Sequence, residues 1–207
     1  SLDELKRRAK KSGNRYFLMR HARSTSNDEG IITSDRNADI GLTPEGISSA
    51  RASLGSFGTR IDAIYASPFK RTRLTAELAA EVLGVPKERI VNDDRLGECN
   101  FGPYSGKTLV EYHAAFPEKT ERFSKGPEGG ETYVEIRRRM MSVLSELEAK
   151  EQGKNILIVS HGTPLWLLSA AARGLSREEA LAMRETDYPE QSVITELPFV
   201  PLPYNAD

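Results

Sequence analysis

Three short apolar runs constrain the fold of this chain more than any other feature of its sequence. They read YFLM (16–19), IDAIYA (61–66) and NILIVS (155–160), and they lack the regular alternation of a half-exposed strand. Runs of this length and kind are typical of strands buried on both faces, as in parallel sheets. A further segment, SVITEL (192–197), does alternate and predicts another strand.

Helix start signals lie between and after these runs. Four positions carry a residue that commonly caps a helix, followed by proline or, three residues on, by glutamate. They are Thr43-Pro44, Ser67-Pro68, Thr132 with Glu135, and Ser176 with Glu179. After Thr132, a core-facing stripe recurs at helical spacing through Met140, Val143, Leu144 and Leu147. Strands that alternate with helices predict an α/β fold around a largely parallel sheet.

Length and composition fit one soluble globular domain. The chain has 207 residues, of which 38% are hydrophobic and 29% charged, enough for one substantial core but cramped for two. We expect a linker-like lead-in at 1–14, a single domain over 15–200 with an excursion from the sheet at about 100–130, and a tail at 201–207. Both ends would also suit a domain that is part of a larger polypeptide.

Charge and cysteine content narrow the expected partners and setting. A formal net charge of −1 gives no general attraction to nucleic acid or anionic membranes, so we expect neither as a partner. No apolar stretch approaches the roughly 20 residues that span a bilayer, and the absence of a basic-then-apolar leader gives no reason to expect secretion. Cys99 is the single cysteine, which rules out an intrachain disulfide and suits the reducing cytoplasm.

Basic residues follow the predicted buried strands. Arg20-His21 follows the first strand, His161-Gly162 the third, and Arg71 lies just beyond the second. In open α/β sheets, ligands bind outside the carboxyl ends of the strands. If these strands are parallel neighbours, two histidines and two arginines converge on one edge of the sheet.

That combination of side chains suits phosphoryl transfer. Arginine forks match phosphate oxygens and stay charged at every working pH, and a neutral imidazole can form a covalent intermediate. Short polar residues from Ser24 to Asn27, at the start of a predicted helix, would add donors for an anion. We therefore expect a phosphohistidine mechanism in which arginines neutralise the phosphoryl oxygens, with no metal and no other cofactor.

Other interpretations of these residues are weaker. A lone histidine at a strand end is more often a packing residue, but two of the chain's three histidines occupy such positions. No HxxxH or HxxE spacing indicates a metal site, and we assign no role to His113, which we expect on a solvated helix face. GPYSGKT (102–108) resembles a phosphate-binding P-loop, but it has three residues between its glycines where the motif needs four. We interpret Lys107-Thr108 as a helix start instead.

These residues also carry a resemblance to a known family. RHARSTSN (20–27) resembles the nucleophile motif of the histidine phosphatase superfamily, the phosphoglycerate-mutase-like proteins. The similarity extends over about residues 15–197, through GLTPEGISSA (41–50), SPFKRTRLTA (67–76), RLGECNFGPYSGK (95–107), GGET (129–132) and VSHGTPL (159–165). It implies a three-layer sandwich in which helices flank a largely parallel central sheet.

The resemblance also implies a role for each matching residue. His21 would attack phosphorus, and Glu98 would act as the general acid and then as the base that activates water. The residues expected to bind the phosphoryl group are Arg20, Ser24, Asn27, Arg71, His161 and Gly162. Glu98 needs a raised pKa for this role, and spacing alone would not have identified it.

The chain departs from the family pattern at three positions, and another segment indicates which side of the family it resembles. Ala22, Gly97 and Thr163 stand where the family usually has glycine, arginine and glycine, which bears on substrate fit more than on catalysis. Phe101-Gly102 and the compact excursion are similar to the phosphatase side of the family, so we expect a phosphatase acting on a phosphorylated small molecule.

Two other functions stay open at this point. One is a phosphoglycerate-type mutase, and the other is a weakly active phosphate-binding domain of a larger protein. A second anionic group could be bound by four basic residues, which are Lys107, Lys119, Arg122 and Lys125. A solvated charged helix explains these residues at least as well.

Overall fold

A single five-stranded sheet forms the centre of the molecule. The computed structural model of the chain describes residues 13–199. The strands are β1 (Arg15–Arg20), β2 (Ala63–Ala66), β3 (Ile90–Asn92), β4 (Asn155–Ser160) and β5 (Ile194–Leu197), in the order β3-β2-β4-β1-β5. All pairings are parallel except that of β5 with β1, which is antiparallel.

Helices cover both faces of this sheet. They are α1 (Thr25–Asp28), α2 (Pro44–Gly55), α3 (Lys70–Leu83), α4 (Leu109–Ala115), α5 (Tyr133–Lys150), α6 (Gly162–Ala172) and α7 (Arg177–Thr186). Short 3-10 turns occupy Lys87–Arg89, Asp94–Leu96, Gly102–Tyr104 and Lys119–Phe123. The segment at about 100–130, which we expect to be an excursion from the sheet, contains α4 and two of these turns.

Alternate residues along the strands contribute to two separate hydrophobic cores, one on each face of the sheet. In β1, Tyr16 and Leu18 pack with α5 and α6, whereas Phe17 and Met19 pack with α2 and α3. This is the arrangement expected of a parallel strand, in which successive side chains point to opposite faces and both faces are buried. The predicted α/β three-layer sandwich is confirmed.

Most of the predicted helix starts are confirmed. The hydroxyl of Thr43 accepts a hydrogen bond from the Gly46 N–H at the start of α2. Capping boxes begin α5 at Thr132, α7 at Ser176, and also α4 at Thr108, next to the predicted start at Lys107-Thr108. The predicted stripe of α5, which is Met140, Val143, Leu144 and Leu147, is buried.

The structure differs from the sequence predictions in several local details. Ser67 does not cap a helix, because α3 begins at Lys70 with Phe69 as its N-cap residue, so Arg71 lies at the second helical position. The strand β3 was missed because only three residues form it and two of them are exposed. In addition, β2 begins at Ala63, two residues after the predicted start.

The two predicted end segments lie mostly outside the part of the chain that the structure describes. The predicted lead-in at 1–14 lies almost wholly, and the tail at 201–207 entirely, outside the described residues. Within residues 13–199, no helix combines the length and the apolar character needed to cross a bilayer.

Candidate active site

The carboxyl ends of the three inner strands, β1, β2 and β4, lie at the same edge of the sheet. The backbone N–H of His21 donates to the Ser160 carbonyl at 3.0 Å, and the N–H of Ser67 donates to the Val159 carbonyl at 3.0 Å. These bonds extend the strand pairing by one residue beyond β1 and β2. His21, Ser67 and His161 therefore begin their loops side by side, as the parallel arrangement predicted.

His21 is held in one orientation and one tautomer. Its side chain is buried, and its Nδ1–H donates to the Ala22 carbonyl at 2.8 Å. This assignment leaves a lone pair on Nε2, which accepts a hydrogen bond from Arg71 Nε at 3.3 Å. Burial, and then the charges of Arg71 and Arg20, hold the pKa of His21 well below its ordinary value of 6.5. At neutral pH the imidazole is therefore uncharged, with a lone pair on Nε2.

Arg71 and His161 complete the inner wall of the site. Arg71 Nη2 donates to His161 Nδ1 at 3.2 Å, and the other ring nitrogen, Nε2, hydrogen-bonds the Ser67 hydroxyl at 2.8 Å. The two imidazole rings lie 5.3 Å apart between centroids, edge to face. Burial, and then the charge of Arg71, keep the pKa of His161 well below 6.5. The bond from Ser67 explains why this serine follows β2 without capping α3.

Glu98 faces the same group of cations. Its Oε2 lies 3.6 Å from His161 Nδ1 and 3.8 Å from Arg71 Nη2, and its Oε1 accepts the Cys99 N–H at 2.8 Å. Burial raises the pKa of the carboxyl above its ordinary 4.5, although Arg71 and the Cys99 N–H oppose the rise. A carboxyl of this kind retains its proton at higher pH than an exposed one, which suits a general acid.

Arg139 on α5 fixes the backbone around Glu98. Its guanidinium donates to the carbonyls of Arg95 at 2.6 Å, Gly97 at 2.8 Å and Glu98 at 3.1 Å. It also forms a two-pronged ion pair with Glu131, at 2.7 and 3.0 Å. Sequence reasoning missed this residue, which is one of three consecutive arginines and has no distinguishing spacing.

The GGET segment braces the same loop from the other side. The N–H of Asn100 donates to the Glu131 carboxylate at 2.9 Å, and the Glu131 N–H donates to the Asn100 carbonyl at 2.9 Å. A Cβ at Gly130 would lie 2.6 Å from that carbonyl oxygen, so only glycine permits this approach. The predicted GGET element therefore acts on Glu98 through the backbone.

Arg20 and Asn27 line the outer part of the site, and Ser24 lies behind them. Arg20 Nη1 donates to the Pro189 carbonyl at 3.2 Å, while its buried Nε has no hydrogen-bond partner within residues 13–199. The Asn27 Oδ1 accepts from the Ser24 hydroxyl at 2.8 Å and from Gln191 Nε2 at 2.6 Å. These bonds occupy the amide oxygen and leave the amide N–H groups for an anion. Ser24 is fully buried, so it orients Asn27 and does not itself line the cavity.

The three departures from the family pattern have local explanations. Ala22 is buried, and Ser192 is the one non-glycine residue within 13–199 that has positive φ, so alanine fits without strain at position 22. A Cβ at Gly97 would lie 3.3 Å from the Phe69 ring, which packs on His161. The hydroxyl of Thr163 forms a hydrogen bond of 3.1 Å with the hydroxyl of Tyr188.

Gly162 and Tyr188 fit tightly together. A Cβ at Gly162 would lie 2.5 Å from the Tyr188 hydroxyl oxygen, so glycine is required for the tyrosine to approach. Tyr188 was not identified from the sequence, because a lone tyrosine after a helix gives no signal of proximity to a site. It forms part of the cavity wall next to Gly162 and Thr163.

These residues surround one cavity of about 280 Å³. Its walls include Arg20, His21, Asn27, Arg71, Glu98 and Gly162, and also His113, Arg184 and Tyr188 from the excursion and the region after α6. His161 is fully buried behind Arg71 and Phe69. His113 is exposed on α4, as expected, but it also borders the cavity.

The lysines and arginine that we considered for a second anion are placed differently. Arg122 is buried and donates to the Tyr112 hydroxyl and to the carbonyls of Lys125 and Glu131, so it holds the excursion together. Lys119 pairs with Glu185 at 2.7 Å.

The fold and the site together define a class of protein. At the carboxyl edge of the parallel strands, a neutral histidine, two arginines and a protonatable carboxyl surround one cavity. This arrangement is an enzyme site suited to a tetrahedral anion.

Comparisons with known proteins identify the family. The sequence model described as histidine phosphatase superfamily (branch 1) matches residues 16–195. Phosphoserine phosphatase 1 of Hydrogenobacter thermophilus is 28% identical over 167 residues, which cover 78% of this chain and 77% of the relative. A 2,3-bisphosphoglycerate-dependent phosphoglycerate mutase of Azorhizobium caulinodans is 29% identical over 171 residues, with coverage of 78% and 82%.

A solved structure agrees with these relatives. A mycobacterial glucosyl-3-phosphoglycerate phosphatase in complex with VO3 has a TM-score of 0.75 at 25% identity, covering 88% of this chain and 91% of that chain. The chain belongs to the histidine phosphatase superfamily and is an enzyme of the phosphatase class.

Proposed function

We propose that the protein hydrolyses phosphomonoesters without a metal ion, through a phosphohistidine formed on His21. The observation that carries this proposal is the state of His21. Its Nδ1–H is committed to the Ala22 carbonyl, its Nε2 lone pair meets Arg71, and its depressed pKa keeps it uncharged. These are the properties a nitrogen nucleophile needs at neutral pH.

In the first step, His21 Nε2 attacks phosphorus and the bond from phosphorus to the ester oxygen breaks. Glu98, in its protonated form, gives its proton to the departing oxygen, so the alcohol leaves neutral. Arg71 must exchange its 3.3 Å bond to His21 for a phosphoryl oxygen as the substrate binds. At 3.3 Å that bond is long and therefore weaker than a short hydrogen bond, and the phosphoryl oxygen gives the same N–H a new acceptor.

In the second step, water attacks the phosphohistidine. Glu98, now a carboxylate, takes a proton from the water as the new phosphorus–oxygen bond forms and the phosphorus–nitrogen bond breaks. Inorganic phosphate leaves, and His21 and Glu98 return to their starting states. One carboxyl thus serves as acid and then as base, which requires its pKa to lie above that of an exposed glutamate.

The phosphoryl oxygens would be bound by Arg20, Arg71, Asn27 and the Gly162 backbone, with His161 taking up a proton when the anion arrives. Burial and then the neighbouring positive charges now lower the pKa of His161. A phosphate dianion opposes those charges and favours the protonated ring, in which Nδ1 is a donor. Two guanidinium groups supply the positive charge that a phosphoryl transition state needs. This supports catalysis without a metal.

The expected substrate is a phosphorylated small molecule. The cavity of about 280 Å³ is near the lower limit of small-ligand sites, as a small substrate requires. The relatives are named for phosphoserine, phosphoglycerate and glucosyl-3-phosphoglycerate. The buried, unpaired thiol of Cys99 supports a cytoplasmic setting.

A mutase is the second candidate, and the relative named as a phosphoglycerate mutase favours it. In a mutase the phosphohistidine returns its phosphoryl group to the organic product, and water is excluded. A third candidate is a weakly active domain of a larger protein. A bifunctional protein of Mycobacterium tuberculosis that is 31% identical, and of which this chain spans 43%, favours that possibility.

Two assays separate these candidates. Turnover of p-nitrophenyl phosphate in excess EDTA is expected, and a lack of turnover, or turnover that returns only with added metal, contradicts the proposal. With 3-phosphoglycerate as substrate, release of inorganic phosphate supports the phosphatase, whereas conversion to 2-phosphoglycerate supports the mutase.

A further inference from the structure

A third arginine, Arg184, lies on the wall of the cavity together with Arg20 and Arg71. Arg184 belongs to α7 and borders the cavity, and its guanidinium carbon lies 5.2 Å from the centre of the Tyr188 ring and 5.6 Å from that of Trp166. Its side chain is only 17% exposed. Two aromatic rings therefore hold the guanidinium group in place while its charge faces a partly desolvated space.

Arg184 lacks the partners that such a group normally has. Within residues 13–199, its buried Nε has no hydrogen-bond acceptor. The nearest carboxylate belongs to Glu185, at 3.9 Å, which is longer than a hydrogen bond. Glu185 is itself exposed and pairs more closely with Lys119, at 2.7 Å. The charge of this half-buried guanidinium is therefore poorly compensated, and an anion beside it in the cavity would stabilise it.

The same pattern occurs at Arg20, which the proposed mechanism already uses. Arg20 also borders the cavity, also has an unpartnered Nε, and lies 5.8 Å from the centre of the same Tyr188 ring. The two guanidinium carbons are thus no more than 11 Å apart, since they lie 5.8 and 5.2 Å from one centroid. A small molecule can reach both.

The two arginines act on different parts of the cavity. The charge of Arg20 contributes to lowering the pKa values of His21 and His161, whereas the charge of Arg184 is felt by His113 and Tyr133. Arg184 thus serves the end of the cavity away from the nucleophile, where the leaving group would lie.

We propose that Arg184 binds a carboxylate on the leaving group, so that the enzyme prefers phosphomonoesters that also carry a carboxylate. This inference rests on the proposed hydrolase function and adds the substrate class to it. The guanidinium plane matches the two oxygens of a carboxylate. Burial, and then the nearby charges of Arg184 and Lys119, lower the pKa of His113, so the imidazole is uncharged and Arg184 is the main cation for a singly charged group.

The test compares substrates that differ by one carboxylate. O-Phosphoserine is paired with O-phosphoethanolamine, and 3-phosphoglycerate with glycerol 3-phosphate. For the wild-type protein we expect kcat/KM to be about 10- to 100-fold higher for the carboxylate member of at least one pair, the usual range for hydrogen bonds to a charged group. In the Arg184→Gln variant this ratio should fall towards one, and Arg184→Lys should restore part of it.

Arg177→Gln is the matched control. Arg177 lies seven residues earlier on α7, rests over the Phe123 ring and is exposed away from the cavity wall, so the variant removes the same charge from the same helix. It should keep the wild-type ratio, and thermal unfolding of each variant reports whether it is folded.

The outcomes separate this inference from the proposed function. Turnover of p-nitrophenyl phosphate with no carboxylate preference, or with a preference that Arg184→Gln leaves intact, overturns the inference and leaves the hydrolase standing. A selective loss by Arg184→Gln on fructose 1,6-bisphosphate relative to fructose 6-phosphate, without loss on the carboxylates, would assign the site to a second phosphate and refute the carboxylate. No turnover of any phosphomonoester would refute the hydrolase itself.

Discussion

Replacing Arg139 with methionine should loosen the segment that carries Glu98. Arg139 binds three carbonyls of this segment and pairs with Glu131, and the two charged side chains are 17% and 22% exposed. Breaking a buried ion pair costs about 3–5 kcal/mol. Because both groups keep some contact with solvent, we expect a loss of about 3 kcal/mol, which lowers Tm by about 6–12 °C in a protein of this size.

The catalytic effect should depend on the leaving group. Misplacing a general acid by about 1 Å costs up to about 10²-fold, but only where the leaving oxygen needs a proton. We therefore expect kcat/KM for an alkyl phosphate to fall about 10²-fold in Arg139→Met, and to fall much less for p-nitrophenyl phosphate. Arg138→Met, at an exposed position next to it on α5, is the control and should change neither value.

A second substitution tests whether Arg139 acts through Glu98. In a Glu98→Gln background the acid is already absent, so Arg139→Met should cause little further loss with alkyl phosphates. Steady-state kinetics of the four proteins, with unfolding curves for each, supply the measurement. Equal losses for the two leaving groups, or losses that multiply in the double variant, would refute the positioning role.

Two further predictions concern protonation. In Glu98→Gln, kcat/KM for alkyl phosphates should drop by about 10²–10⁴-fold, with a smaller loss for p-nitrophenyl phosphate. The wild-type pH profile should decline as pH rises through the raised pKa of Glu98, and a variant that keeps this decline would contradict the acid assignment. His161→Gln should lessen acid destabilisation. Because the folded-state pKa of His161 is depressed, its contribution is present above the unfolded value of about 6.5 and is lost as pH falls below it. Urea unfolding at pH 7 and pH 5 should show a smaller decrease in the variant than in the wild type, and an equal decrease would exclude a buried neutral His161.

The sequence allowed the prediction of those features that have local signals. The inner strands are unbroken apolar runs, and each ends at a basic residue, so the convergence of His21, Arg71 and His161 follows from parallel pairing. The capping boxes depend on pairs three residues apart and were also predictable. Ser67 was misinterpreted because a serine before proline looks the same whether its hydroxyl caps a helix or binds a histidine across the sheet.

Other parts of the site have no local signal. Glu98 is one of many glutamates, and only its burial beside Arg71 sets it apart. Arg139 and Arg184 look like ordinary helix-surface charges in the sequence, and their roles depend on which loop or cavity the tertiary fold brings to them. The three-residue strand β3 is stabilised by pairing with β2, which short-range patterns do not encode.

A direct test of the account is to trap the phosphorylated enzyme. In Glu98→Gln, p-nitrophenyl phosphate should still phosphorylate His21, because its leaving group needs little protonation, whereas hydrolysis should be slow without the base. Rapid mixing should then give a burst of about one p-nitrophenol per active site, and peptide mapping under alkaline conditions should locate the phosphoryl group on His21. The absence of a burst together with an unmodified His21, or a phosphoryl group on another residue, would contradict the central claim.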